Sequence, residues 1–179
     1  MLRSGPDYRI NNAAILDAGH FLFATGNEAQ IKIMGKAVPS TLAVEGNVLG
    51  AAISPDGKWL AAGGLYKATN PLGAVHEPIV CLFDLASDKP EPVRQQIADG
   101  ITQGIIWSLR WLSDGTLMGV TGGGTGGLLL FWKPDADKDF HRFQLPSLAR
   151  DMDLHPDGVQ VITAHHDRHV RLIKLAAKG

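Results

Sequence analysis

The densest set of chemistry-bearing side chains lies near the end of the chain: His165, His166, Asp167 and His169, with His155 a hairpin's length upstream. Imidazoles and a carboxylate are zinc ligands, and zinc commonly takes three or four of them. A fully extended segment would put His165, Asp167 and His169 on one side. The competing reading is a group of surface histidines around a structural aspartate. A second candidate is the run Gly122-Gly123-Gly124-Thr125-Gly126-Gly127. A phosphate cradle needs a strand before such a run and a helix N-terminus after it. Residues 128–132 instead read as another strand, so these glycines suit close passage of a neighbouring stretch of chain. No Ser or Cys sits in a recognisable nucleophile motif, and the sequence points to neither an enzyme nor a cofactor.

Composition narrows the partners. Lys+Arg 17 against Asp+Glu 18 gives a net charge of −1 over 179 residues, which offers no electrostatic case for nucleic acid or an anionic membrane surface. Apolar residues make up 45%, enough for a packed core. The single cysteine, Cys81, lies in the apolar run 79–82 and reads as a buried thiol. No apolar stretch is long enough for a membrane helix, and the first residues lack the apolar run of a signal peptide, so a cytoplasmic protein is expected.

The elements that must position these residues announce themselves by repetition. Ser54-Pro55-Asp56-Gly57 separates two small-and-apolar runs, as a β-hairpin turn does. Leu112-Ser113-Asp114-Gly115, His155-Pro156-Asp157-Gly158 and a worn Asp17-Ala18-Gly19 repeat it, with steps of 38, 58 and 43 residues between turn glycines. After Gly19 and after Gly158, a third strand begins 12 positions on, at Ile31 and Val170. Its alternation with Lys32 and Arg171 buries one face. Further strands are expected near 38–44, 93–97 and 140–145. No segment shows a helical apolar period, and the chain reads as all-β.

This pattern resembles the WD-repeat β-propeller family, whose blades recur every 40–45 residues or so. The turn 54–57 and the run Lys58-Trp59-Leu60-Ala61 match a first blade hairpin, and Phe83-Asp84 stands where the family carries Trp-Asp. The resemblance covers about 12–175 and implies four antiparallel four-stranded blades, near 12–44, 47–97, 104–145 and 148–175. The last runs out at Leu175, before a fourth strand. Such a ring is incomplete: either a longer propeller supplies the remainder or copies assemble, most simply as a homodimer of eight blades. The family's structural turn acid falls on Glu28, Glu77 and Asp167, while the third blade has Gly126 there. The family's Gly-His pair is Gly46-Asn47 and Gly100-Ile101 here, so its usual hydrogen-bonded network is broken.

Departures between copies mark the candidate binding face. The third strand of the second copy starts 23 positions after Gly57, an extension carried by the loop 65–76. Trp107 shares a column with Leu49 and Arg150, near the same end of the strands, and Trp and Arg are common anchors of protein contacts. His76 and His166 each precede a turn acid, a position that in the resembled family often faces the partner. Tyr66, Lys67, His76, Trp107, Arg150 and His166 therefore form the expected surface for a protein or peptide partner, and the function expected is a non-catalytic interaction scaffold. The alternative is a ligand- or metal-binding propeller, accessory to an enzyme, that uses the 165–169 cluster.

Overall fold

A computed structural model describes residues 10–17, 20–25, 30–34, 41–43, 47–65, 77–87, 89, 91–101, 104–123 and 126–175, with the backbone alone described up to residue 47. The described residues form fifteen strands in four antiparallel sheets, each built from consecutive strands. Sheet 1 holds β1 (Ile10–Asp17), β2 (His20–Thr25), β3 (Gln30–Met34) and β4 (Thr41–Ala43). Sheet 2 holds β5 (Asn47–Ile53), β6 (Trp59–Leu65), β7 (Ile79–Asp84) and β8 (Arg94–Ile97). Sheet 3 holds β9 (Ile105–Trp111), β10 (Leu117–Gly123), β11 (Gly126–Trp132) and β12 (His141–Leu145). Sheet 4 has three strands among the described residues, not four: β13 (Ala149–Leu154), β14 (Gln160–His165) and β15 (Val170–Lys174).

The turn residues do what their types allow. Gly57, Gly115 and Gly158 have φ of +71°, +77° and +72°, the left-handed region that glycine enters without strain. The preceding aspartate carboxylates accept the N–H of Lys58 at 3.0 Å, Thr116 at 2.8 Å and Val159 at 2.8 Å, closing the reversal from the side-chain side.

One hairpin differs from its siblings by a residue. In sheets 2 and 4 the turn closes with Ser54 N–H on the Trp59 carbonyl and His155 N–H on that of Gln160, whereas in sheet 3 Leu112 N–H bonds the carbonyl of Thr116. Ile53 consequently pairs with Leu60 and Leu154 with Val161, but Trp111 pairs with Leu117. A one-residue slip flips every side chain beyond it, so β10 reverses its alternation when counted from the turn glycine. Leu117, not Met118, is thus the structural equivalent of Leu60 and Val161.

With the registers matched in this way, sheets 2 and 3 each present one face to the sheet before and the other to the sheet after, and sheet 4 presents one face to sheet 3. Between sheets 2 and 3, Ala61, Val80 and Leu82 meet Leu109, Trp111, Leu117, Leu130 and Trp132. Between sheets 3 and 4, Met118, Val120, Leu129 and Phe131 meet Ala149, Met152 and Val161. Each fully buried large apolar side chain contributes roughly 2 kcal/mol. Gly63 allows the stacking: a Cβ there would stand 2.8 Å from Ile106 Cγ2. Polar groups fasten sheet 2 to sheet 3 at the outer edge, where Ile97 forms a parallel bridge with Lys138. There the Asp139 carboxylate takes the N–H of Asp99 at 2.9 Å and the Arg142 guanidinium. Cys81 is buried, as expected of its apolar run.

Candidate functional site

Trp107 and Arg150 are placed by the same backbone device. In β9, Ser108 pairs with Val120 and Ile106 with Thr121, which leaves Trp107 outside the ladder as a β-bulge. Arg150 is skipped likewise between Ala149 and Asp151, Leu49 between Val48 and Gly50, and Asn11 between Ile10 and Asn12. Each of the four lies eight positions before its turn glycine. A bulge re-aims the side chain it carries, and such sites concentrate near functional surfaces. The shared column was legible in the sequence; the bulges have no residue signature and were not.

The bulges bring Trp107 and Arg150 together. The Arg150 guanidinium stands 5.0 Å from the centroid of the Trp107 ring, within cation–π reach. Arg150 is exposed and Trp107 half-buried. The Trp107 Nε1 is shielded from water and has no hydrogen-bond partner among the described residues. His166 is exposed at the same end, its N–H donating to the Leu148 carbonyl at 2.8 Å, two residues before Arg150. Three of the six residues expected on the binding face therefore sit at adjoining strand ends. Tyr66, Lys67, His76 and the loop 68–74 lie outside the described residues, as does Glu28.

The histidine cluster does not gather around a common point. Residues 166–169 form a hairpin turn, with Arg168 N–H on the His165 carbonyl at 3.1 Å and Arg168 at φ +68°, so the extended arrangement that would align His165, Asp167 and His169 is absent. The buried His165 ring bonds the Ser147 carbonyl through Nδ1 at 2.8 Å and Thr163 Oγ1 through Nε2 at 2.7 Å. Because a carbonyl can only accept, Nδ1 carries a proton, and in the neutral ring Thr163 donates to Nε2. A hydroxyl beside an oriented imidazole has the form of a nucleophile and its base. Here Thr163 is wholly buried between sheets. Among the described residues, no three His, Cys, Asp or Glu side chains stand where they could hold a metal ion.

Asp167 spans the turn. Its carboxylate takes the Arg171 guanidinium at 2.9 and 2.6 Å and the His169 N–H at 3.2 Å. Chiefly through Arg171, its pKa falls well below the usual carboxylate range. Glu77 lies two residues before the start of β7, and its carbonyl accepts the Ile79 N–H at 3.0 Å. Gly126, in the corresponding place of sheet 3, has φ +84°. The neighbouring glycines are sites of close approach. A Cβ on Gly127 would stand 2.2 Å from the Ser147 carbonyl oxygen, and one on Gly122 2.2 Å from Leu148 Cγ. They seat the link that leads into Arg150.

The turn carboxylates give sheet 4 a defined acid response. Asp157 is lowered from 3.8 to about 2, first by the Val159 N–H and then by the Gln160 amide, with His155 adding less. A carboxylate whose folded pKa is depressed stabilises the fold above its unfolded value and loses that contribution as the pH falls through the folded one. The melting temperature should therefore drop between pH 3.8 and about 2. An Asp157→Asn, Asp167→Asn double variant should show a shallower drop by circular dichroism, and an unchanged slope would contradict the assignment.

Comparison with known proteins agrees with the architecture. The family described as WD domain, G-beta repeat matches residues 39–66, which run from β4 through β6. No curated protein matches. Among solved structures, the Kuenenia stuttgartiensis hydrazine synthase is similar with a TM-score of 0.69 at 13% identity, over 89% of this chain and 44% of that one. The WD40 β-propeller domain of Doa1 is similar with a TM-score of 0.66 at 15% identity, over 96% of this chain and 53% of that one. The chain thus spans about half the length of these solved structures, and at such identities the likeness concerns the fold. Residues 39–66 match a WD repeat, and the four stacked antiparallel sheets share the fold of a β-propeller.

Proposed function

We propose that the chain is a non-catalytic interaction scaffold that holds a protein or peptide at the strand ends bearing Trp107, Arg150 and His166. Tyr66, Lys67 and His76, on the long 66–78 connection, extend that face in this reading. The observation that carries it is the Arg150 guanidinium over the Trp107 ring, two large anchors raised on neighbouring bulges. Trp and Arg dominate the binding energy of protein interfaces, and an indole N–H without an acceptor is a cost that a partner's carbonyl would relieve. The neighbouring Thr163–His165 pair, the one hydroxyl–imidazole contact at this end among the described residues, is buried and serves the fold.

Selection of a displayed peptide library on the immobilised chain tests this. Peptides recovered on the native chain should lose about tenfold or more in affinity to Arg150→Ala and to Trp107→Ala, as hot-spot truncation of roughly 2 kcal/mol implies. Because Arg150 is exposed, Arg150→Ala should unfold at nearly the native denaturant midpoint. Peptides that bind both variants as well as the native chain would place the interaction elsewhere and end this reading.

A further inference from the structure

At the end of the strands opposite Trp107 and Arg150, two tryptophans meet where the repeat does not ask for them. Ile53, Trp111 and Leu154 hold one position across sheets 2, 3 and 4, since they pair with Leu60, Leu117 and Val161, the first wholly buried residue of each following strand. The residues just before those partners are Trp59, Thr116 and Gln160. The junction of sheets 3 and 4 thus brings Thr116 and Leu154 to this end, without an aromatic ring. At the junction of sheets 2 and 3 the same places hold Trp59 and Trp111, both packed on one core. A cavity of about 290 Å³ opens there between the two Asp-Gly turns, lined by Pro55, Trp59, Trp111 and Pro134 with Asp56 and Asp114. Ligand pockets run from roughly 300 to 1,000 Å³, so this one suits a single side chain rather than a large cofactor.

The walls are fixed and the rim is charged. Trp111 donates its indole N–H to the Ala52 carbonyl at 3.1 Å, and the backbone N–H of Trp59 donates to Ser54 Oγ at 2.8 Å. Asp56 accepts the Ser54 hydroxyl and the Lys58 backbone N–H, both through Oδ1, and has no ion pair among the described residues. Those bonds, the hydroxyl first, hold its carboxyl below the usual carboxylate range. Burial works to raise Asp114, but the Thr116 N–H and hydroxyl and the Lys133 ammonium together lower it. Two ammonium groups stand nearby. Lys133 Nζ lies 3.3 Å from the Asp114 carboxylate, and Lys58 Nζ lies 4.5 Å from the centroid of the Trp59 ring. The ring thus already draws a cation, and Asp56 remains the carboxylate without an ion-pair partner among the described residues.

We infer that this cavity takes the guanidinium of an arginine side chain presented by a protein or peptide, stacked on the tryptophan rings and hydrogen-bonded to Asp56. Aromatic walls with an ionised carboxylate at the rim complement a cation and repel an anion. A guanidinium fits better than an ammonium because it is planar, less strongly hydrated, and able to stack on an indole while forking onto one carboxylate. The site lies at the other end of the strands from the Trp107–Arg150 face and does not depend on it.

Titration with N-acetyl-arginine amide, followed by nitrogen-edited NMR of the indole N–H groups, tests this. The Trp59 and Trp111 signals should shift and saturate at millimolar probe, while that of Trp107 holds still. N-acetyl-citrulline amide, the neutral isostere, should give no saturable shift, and N-acetyl-lysine amide should bind at least twofold more weakly than the arginine probe. Asp56→Asn keeps an acceptor in the turn and should weaken the arginine probe about threefold, the scale of an exposed ion pair. Lys58→Gln removes the internal cation at Trp59 and should not weaken it. Trp59→Leu should abolish saturation; should that variant not fold, the citrulline comparison and Asp56→Asn still decide. No saturable shift with the arginine probe, equal binding of citrulline or lysine, an affinity indifferent to Asp56→Asn, or a loss with Lys58→Gln would each overturn the inference.

Discussion

Trp132→Ala should lower the unfolding free energy by about 3–5 kcal/mol, the range for removing a fully buried tryptophan. Trp132 is wholly buried at the end of β11, and its indole N–H reaches the Ile97 carbonyl in sheet 2 at 2.9 Å. The packing around it is built to admit it: a Cβ on Gly119 would stand 3.0 Å from the ring. A domain of this size has roughly 5–15 kcal/mol of stability in total, so the variant should be close to unfolding at room temperature. Trp132→Phe separates the two contributions. It keeps most of the apolar area and loses the N–H donor, yet the Ile97 carbonyl still accepts the Asp139 N–H at 3.1 Å. The Phe variant should therefore cost only about 1–2 kcal/mol. Urea unfolding of the three proteins reads this directly. Equal costs for Ala and Phe would mean that the bond, not the packing, holds sheet 3 on sheet 2.

Much of the frame was legible because it rests on local chemistry. Asp-Gly turns fix hairpins wherever they fall, and the alternation of Val170/Leu172 with Arg171 marks the strand β15, but the face it was expected to bury is exposed, with Val170 at 66% and Leu172 at 69%. What was not legible depends on single-residue offsets. The Leu112-Ser113-Asp114-Gly115 turn looks like its siblings, yet its closure on Thr116 rather than one residue further reverses β10. Counting from Gly115 therefore assigns Met118 and Leu117 to the wrong faces. The edge fastening of Ile97, Asp99, Asp139 and Arg142 was equally hidden, since its members lie some forty residues apart and none belongs to a motif. At the site, the sequence placed Trp107, Arg150 and His166 at one end of the strands. The contact between Trp107 and Arg150 needed the bulges and the stacking of sheet 4 on sheet 3. In the 165–169 cluster the residue types left two readings open, a shared ligand and surface histidines around a structural aspartate; the turn at Arg168 sends His165 inward and leaves His166 and His169 exposed around Asp167.

Gly127→Ala should destabilise by about 1–3 kcal/mol and weaken binding at the Arg150 face in the fraction that remains folded. The sign is informative, because Gly→Ala at an unstrained position ordinarily stabilises by about 0.4–1 kcal/mol through the unfolded chain. Gly127 is not among the positive-φ glycines, so its backbone accepts alanine; the obstacle is space. The new Cβ would meet the Ser147 carbonyl oxygen at 2.2 Å and its carbon at 2.7 Å, backbone atoms that move only if the whole link moves. That link holds the carbonyl which anchors His165 and leads three residues later to Arg150. At Gly122 the clash is with the Leu148 side chain, which can yield, so Gly122→Ala should cost less. A double-mutant cycle of Gly127→Ala with His165→Ala then tests the shared anchor. If both act through the Ser147 carbonyl, the double variant should lose less than the sum of the singles, by more than about 0.5 kcal/mol. Strict additivity, or a Gly127→Ala protein more stable than the native one, would show that the glycines do not seat the link on which the Trp107–Arg150 pair depends.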